Sequence, residues 1–339
     1  MHWYILGTGA IACLWAAALR HSGAEVTLIA REKPGLALTQ AQALRLNSAA
    51  LNDPADEAIN ANSRQTFSVE LSSAKSLHKQ RRSIRHLIIA TKAYDAEVAL
   101  ASLLALLTEQ AVIISLCNGV GFQNGLHQQL QQHSGHCQLL LGLTSDGALL
   151  QSPFTVQHTG IGETSLGVYG EHLSVTVNTD TQTLFKQNLL PEPFLLKIDK
   201  SNNIQQRLWN KVLINCVINP LTLKHRINNG ELLSQAVYRH ELEALCDELC
   251  TIYNQAVAAK PDNALLQLAS KSTEQLLADI HAVASATAAN TSSMLRDAQL
   301  GRSLELDYLN TYMVNLAQSQ QLPCPINQQL IKQLSTGPI

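Results

Sequence analysis

One lysine and two asparagines share a face in the second half of the chain. Lys211, Asn215 and Asn219 recur at i, i+4 and i+8, so on a helix they form a single polar stripe. Around them Leu208, Trp209, Val212, Leu213, Ile214, Val217 and Ile218 make the segment apolar on most other sides. The stripe either faces solvent, with Asn219 as a C-terminal cap, or lines a polar cleft; the apolar surroundings favour the cleft. Such surroundings disfavour a charged amine and lower its pKa toward working pH. An ammonium held there stabilises negative charge developing on a carbonyl oxygen and can hand that oxygen a proton. The neighbouring amides can orient a hydroxyl or carboxylate without adding charge.

A second group lies at the start of the chain. Gly7-Thr8-Gly9-Ala10-Ile11-Ala12 reads G-x-G-x-x-A. Gly7 permits a tight turn, Gly9 clears a side chain from the path of a pyrophosphate, and Ala12 keeps helix and strand close. The helix opening at Ala10 then offers unpaired N–H groups and the positive end of its dipole. Arg31 stands where an NAD site usually carries Asp or Glu, and an arginine there suits the 2′-phosphate of NADP. A third group, Asn290-Thr291-Ser292-Ser293, sets four poor helix-interior residues in a row, which reads as a helix break or a ligand-facing bend.

The elements that must position these groups follow from local pattern. Trp3 to Leu6 is a short strand, Ala10 to Leu19 a helix stopped by Gly23, and Glu25 to Ala30 a second strand, together a βαβ unit. His86 to Ala90 and Ala111 to Leu116 are buried strands separated by a helix over Ala96 to Leu107. Strands alternating with helices imply a parallel, doubly wound sheet, whose carboxyl-end rim holds Lys92 and the Asn118-Gly119 turn. Gln138 to Gly142 reads as another strand, ending at Thr144 to Ala148. Between Phe154 and Ile198 short pieces (Phe154–Val156, Thr164–Tyr169, Ser174–Val177, Phe194–Ile198) read as antiparallel strands closing the sheet. Residues 33–83 show little periodicity and end in a basic cluster of Lys75, Lys79, Arg81, Arg82 and Arg85, a solvated face more readily than a phosphate contact. Strands stop near Ser201-Asn202-Asn203, and Asn203 with Gln206 resembles a capped helix start. That helix is predicted to run from Ile204 to about Ile218, with Pro220 ending it. The division is then a dinucleotide-binding domain over 1–200 and an all-α substrate and catalytic domain over 201–339.

Composition bounds the rest. The 339 residues carry 24 basic and 26 acidic side chains, a formal charge of −2, which gives no footprint for nucleic acid or a membrane surface. Charged residues make up 15%, against roughly 25% in an average domain, as large buried helices require. No apolar run reaches about 18 residues and Met1-His2-Trp3 lacks a basic leader, so a soluble, cytoplasmic protein is expected. The seven cysteines, Cys13, Cys117, Cys137, Cys216, Cys246, Cys250 and Cys324, form no CxxC pair, and the histidines show no HExxH spacing. Reduced, buried thiols and no metal are expected.

Taken together, these pieces resemble the ketopantoate reductase (2-dehydropantoate 2-reductase) family over essentially the whole chain. The resemblance rests on G-T-G-A-I-A at Gly7–Ala12, T-K-A at Thr91–Ala93, N-G-V-G at Asn118–Gly121 and L-W-N-K-V-L-I-N-C-V-I-N-P-L-T at Leu208–Thr222. It also rests on N-G-E at Asn229–Glu231, N-T-S-S-M-L-R-D at Asn290–Asp297 and E-L-D-Y-L-N at Glu305–Asn310. It implies NADPH-dependent reduction of ketopantoate to pantoate, a step in pantothenate and coenzyme A synthesis, on a Rossmann-type domain joined to an all-α domain. By the resemblance Lys211 is the general acid; Asn215, Asn219, Asn229 and Ser293 contact substrate; and Asn118 lies between substrate and cofactor. Lys92, Ala148 and Glu305 join Gly7–Ala12 and Arg31 around the cofactor. The implied partner is a small 2-keto acid, with no nucleic acid or membrane, and the chain would act as a monomer or homodimer. Three places depart from the pattern: Asp146-Gly147 ahead of Ala148, Thr311 where glycine is common, and an enlarged stretch from about Asn47 to Arg82. Two alternatives remain, a related reductase for another 2-keto or 3-hydroxy acid and a regulator that binds NADP without turnover. The regulator would not need a lysine on a buried helix.

Overall fold

In the computed structural model, which describes residues 1–32, 40–48, 63–169, 190, 195–201, 203–259 and 268–336, the chain divides into two units. One comprises Met1–Cys117 with Phe122–Ile204, the other Asn118–Gly121 with Gln205–Ile339.

The first unit carries the strands β1 (His2–Leu6), β2 (Glu25–Ile29), β3 (Gln40–Ser48), β4 (Ser63–Ser72), β5 (Ile84–Ile89) and β6 (Leu107–Ser115). It continues with β7 (Gln138–Thr144), β8 (Gly147–Ser152), β9 (Thr155–Gly160), β10 (Thr164–Val168) and β11 (Ile198–Lys200). Among the described residues these eleven form one sheet in the order β11-β10-β7-β6-β5-β1-β2-β4-β3-β9-β8. Its centre is parallel: β1 pairs with β2 and β5, β5 with β6, and β6 with β7. These strands read as unbroken apolar runs because both faces are covered; Trp3, Ile5, Leu87, Ile88, Ile113 and Ile114 are fully buried. Chain order reverses at β1, with β2 on one side and β5 on the other, so a switch point opens at the carboxyl end of β1.

Helix α1 (Ala10–His21) joins β1 to β2. Every residue from Ala12 to Leu19 is fully buried, more than one sheet face requires. The cause is that α1 touches β1 to β4 and also β8 and β9. Gly23 ends it at φ +83°, with Ala24 N–H bonding Leu19 C=O and Gly23 N–H bonding Arg20 C=O, a closure that only a left-handed residue permits.

The described parts of the poorly periodic stretch are mostly sheet. β3 and β4 pair antiparallel, β4 lies parallel to β2, and α2 (Ala74–Lys79) follows, capped by Ser73. Of the basic cluster, Arg82 pairs with Glu70 and Lys75, Lys79, Arg81 and Arg85 are exposed, the solvated arrangement. Two expectations are corrected. The helix placed at Ala96–Leu107 is α3 (Ala93–Ala101), and β6 already begins at Leu107. The later strands do not close one edge: β10 runs antiparallel to β7, but the β8–β9 pair joins the opposite edge, where β9 lies parallel to β3. Ser174–Val177, Phe194 and Asn202 lie outside the described residues. α4 (Gln123–His133) connects β6 to β7.

The second unit is helical: α5 (Ile204–His225), α6 (Ala236–Ala258), α7 (Thr273–Ala286), α8 (Ser293–Gln299), α9 (Asn310–Ser319) and α10 (Pro325–Thr336), with 3-10 turns at Asn229–Leu233 and Leu306–Tyr308. α5 corrects a further expectation, since it runs through Pro220 to His225. A proline inside a helix removes the N–H owed to the carbonyl four residues back, here Cys216. The Asn310 side-chain amide replaces it, its Nδ2 donating to Cys216 O at 2.8 Å. Two more carbonyls near the break, those of Ile218 and Asn219, lie 2.7 and 3.0 Å from the Thr222 hydroxyl. The helix therefore survives its proline. All seven cysteines are reduced and buried, and among the described residues no helix is long and apolar enough to cross a membrane.

Candidate active site

In the first unit the glycine turn leaves β1 at the switch point. Gly7 has φ +113°, and a Cβ there would come within 2.6 Å of Ala90 O, so the turn lies directly against the end of β5. Lys92 follows as the N-cap residue of α3 and is half-buried. Gly9 caps α1 without a side chain, the first turn holds no acidic residue, and a Cβ on Gly9 would meet nothing within 4 Å. The N–H groups of Ala10, Ile11 and Ala12 have no partner within their own helix. An anionic pyrophosphate fits these features. Arg31 lies two residues beyond β2, 70% exposed, and pairs with Asp95 of α3.

Ala148 occupies β8 and packs against the same apolar core as α1. The departure just before it has a structural purpose. The buried Asp146 carboxylate accepts from His158 Nε2 at 2.9 Å, Gly162 N at 3.0 Å and Thr144 Oγ1 at 3.0 Å. On its other side His158 Nδ1 is 2.9 Å from the Ser48 hydroxyl of β3. Burial by itself raises the Asp146 pKa, but hydrogen bonds from His158, Gly162 and Thr144 outweigh it and hold the carboxyl below its ordinary value. Gly147 is required because a Cβ there would sit 2.7 Å from Thr159 Oγ1 and 3.0 Å from Gly160 N.

In the second unit the quoted motifs converge on α5. Lys211 is half-buried as a residue, yet its ammonium lies deep enough for desolvation to dominate, lowering its pKa to about 8; the Glu305 carboxylate acts in the opposite sense. Asn215 is half-buried and Asn219 buried along the same stripe. The Asn228–Glu231 turn forms a capping box and bonds to the serine-rich segment, Asn229 N to Asn290 O at 3.0 Å and Gly230 N to Ala288 O at 3.1 Å. Asn229 gives its Nδ2 to Thr287, while its Oδ1 is buried with no partner among the described residues, an acceptor available to a ligand donor. Ser292 caps α8 and shares a 2.7 Å hydrogen bond with Thr222 of α5, which leaves Ser293 exposed at the helix start. The tetrapeptide Asn118–Gly121 docks on the Glu305–Asn310 motif, with Val120 N bonding Tyr308 O at 2.9 Å. Gly119, at φ +87°, leaves no room for a Cβ, which would lie 2.6 Å from that carbonyl.

Sequence reasoning missed Asp95, His158 and Asn310 as partners of site residues. Only Asn310 had a local signal, since an intrahelical proline at 220 demands a donor for Cys216 O.

Comparison with known proteins gives the family and the fold. The family description "Ketopantoate reductase PanE/ApbA" matches residues 3–171, and its C-terminal counterpart matches residues 203–336. The 2-dehydropantoate 2-reductase of Vibrio cholerae is 28% identical over 338 residues, covering 99% of this chain and 97% of its own. That of Yersinia pestis is 30% identical over 244 residues, covering 72% and 71%. Among solved structures, a D-mandelate dehydrogenase with NADH and anilino(oxo)acetate has a TM-score of 0.76 at 18% identity, covering 98% of this chain and 96% of its own. The probable 2-dehydropantoate 2-reductase of Bacillus subtilis has 0.71 at 22%, covering 99% of each. Those two share the α/β sheet and helical region, which establishes the fold. With both family descriptions spanning nearly all of its length, the chain belongs to the ketopantoate reductase family.

Proposed function

We propose that the protein reduces 2-dehydropantoate to pantoate with NADPH. The observation that carries this reading is Lys211, an ammonium brought to a pKa of about 8 by burial on an apolar helix and aligned with two asparagines. At neutral pH it is mostly protonated, as a donor must be, and giving up the proton relieves the cost of burying its charge. Glu305 opposes the desolvation and keeps the proton on until it is needed.

When bound, the reduced nicotinamide supplies the hydride. Lys211 holds the ketone oxygen and protonates it as charge develops there. Asn215, Asn219, Asn229 and Ser293 orient the acid's hydroxyl and carboxylate, and the unpartnered Asn229 Oδ1 suits the hydroxyl. The glycine turn and the α1 N-terminus hold the pyrophosphate, Lys92 stands at the rim, and Arg31 takes the 2′-phosphate in exchange for Asp95. Loss of NADPH absorbance on adding 2-dehydropantoate, against a panel of other 2-keto acids, tests the proposal. A faster reaction with another acid would move the substrate to that acid, the second reading; the D-mandelate dehydrogenase neighbour shows that the same fold serves a different enzyme.

A further inference from the structure

We propose that Asn310 is a positioning residue of the active site, whose side-chain bridge to Cys216 holds the segment bearing Glu305 against the helix bearing Lys211. The proposal rests on the reading of Lys211 given above. Cys216 lies five residues after Lys211, and Asn310 lies five residues after Glu305, so the bridge ties the two segments at equal distances along the chain from the two charges. Pro220 makes the bridge possible by leaving the Cys216 carbonyl without its helical donor.

The orientation of the Asn310 amide is dictated by a buried relay. The Glu248 carboxylate accepts from Ile326 N and Asn327 N, and from Asn327 Nδ2 at 2.9 Å. Asn327 must therefore present its Oδ1 to Asn310, which answers with its Nδ2 at 2.8 Å. The same Nδ2 donates to Cys216 O at 2.8 Å. Asn310 and Asn327 are fully buried, where such hydrogen bonds are stronger than in water. The relay links α5, α6, α9 and α10 through one oriented chain of hydrogen bonds.

Among the described residues, no charged group other than Glu305 contributes to the Lys211 shift. Arg207, one turn back on α5, is exposed. Lys271 and Asp279 pair with each other beside Asn210. Glu248 is occupied at the far end of the relay, and burial raises the pKa of Cys216 and Tyr312, which stay neutral. Glu305 is the group that acts on the Lys211 titration. Loosening the bridge weakens that action and lets desolvation pull the Lys211 pKa further down.

The test is the Lys211 titration itself, read by NMR in lysine-labelled protein and assigned by the signal missing from Lys211→Met. Asn310→Ala should lower the Lys211 pKa by about half a unit or more. In a Glu305→Gln background the same substitution should add nothing. Pro220→Ala restores an N–H for Cys216, so Pro220→Ala/Asn310→Ala should regain thermal stability yet keep the lowered titration relative to Pro220→Ala alone. If Asn310→Ala does not fold, this double variant decides. An unchanged titration, one that recovers together with stability, or a further shift without Glu305 would each overturn the proposal. Because no substrate enters the measurement, inactivity toward 2-dehydropantoate would contradict the proposed reaction and leave this result standing.

Discussion

At the scale of single residues, Arg31 and Lys211 make opposite demands on charge. Arg31 is exposed and already paired with Asp95, so a 2′-phosphate gains the difference between two charge-assisted contacts. Arg31→Ala is expected to weaken NADPH binding roughly tenfold and to leave NADH nearly unchanged; equal losses for both cofactors would make the residue a support of the fold. Lys211 instead bears a cost, because its folded pKa of about 8 lies below the ordinary lysine value of 10.5. The unfolded chain holds that proton more tightly between those values, so the penalty is full below pH 8 and is relieved as pH rises toward 10.5. Lys211→Met, which removes the charge and keeps the volume, should therefore melt no lower than wild type at pH 7, and the gap should narrow by pH 10. A large fall in Tm would show that the ammonium stabilises the fold.

At the scale of elements, legibility followed sequence distance. The βαβ unit was readable because Gly7, Gly9 and Gly23 act within a few residues of where they stand, and the stripe on α5 because helical spacing is local. The end of α5 was misread because the donor that rescues the Pro220 break is Asn310, on another helix. The edge that the β8–β9 pair joins was not legible, because its partner β3 lies about a hundred residues earlier, within a stretch whose alternation rests on just Leu44 and Leu46. Asp146 stood out in sequence as a departure, but its purpose needed His158 and Ser48, which only pairing of the strands brings close. That pin makes a prediction for the hairpin. Asp146 is held below its ordinary pKa, so its stabilisation is present above about pH 4 and disappears as the pH falls through the folded-state pKa. Asp146→Asn should cost roughly 3 kcal/mol at pH 7 and less in acid, measured by denaturant unfolding at both pH values. A pH-independent loss would assign the effect to packing.

At the scale of the whole molecule, the family and the α/β fold with its helical region were legible, since each motif that carries the resemblance is contiguous. What escaped was the coupling between motifs: Asn229 with Asn290, Thr222 with Ser292, and Gly119 with Tyr308. These contacts bring several short polar motifs onto the helix of one lysine. In the proposed reaction this lysine donates the proton to a keto acid, a role expressed in the transition state and not in binding. The most direct measurement is kcat for NADPH oxidation with 2-dehydropantoate, wild type beside Lys211→Ala, with NADPH affinity measured on both. The expected result is a kcat lower by about 10² to 10⁴, unchanged NADPH binding, and a wild-type kcat/KM that declines as pH passes about 8. An alanine variant that keeps more than about a tenth of kcat would contradict it, because a positioned acid contributes far more than that.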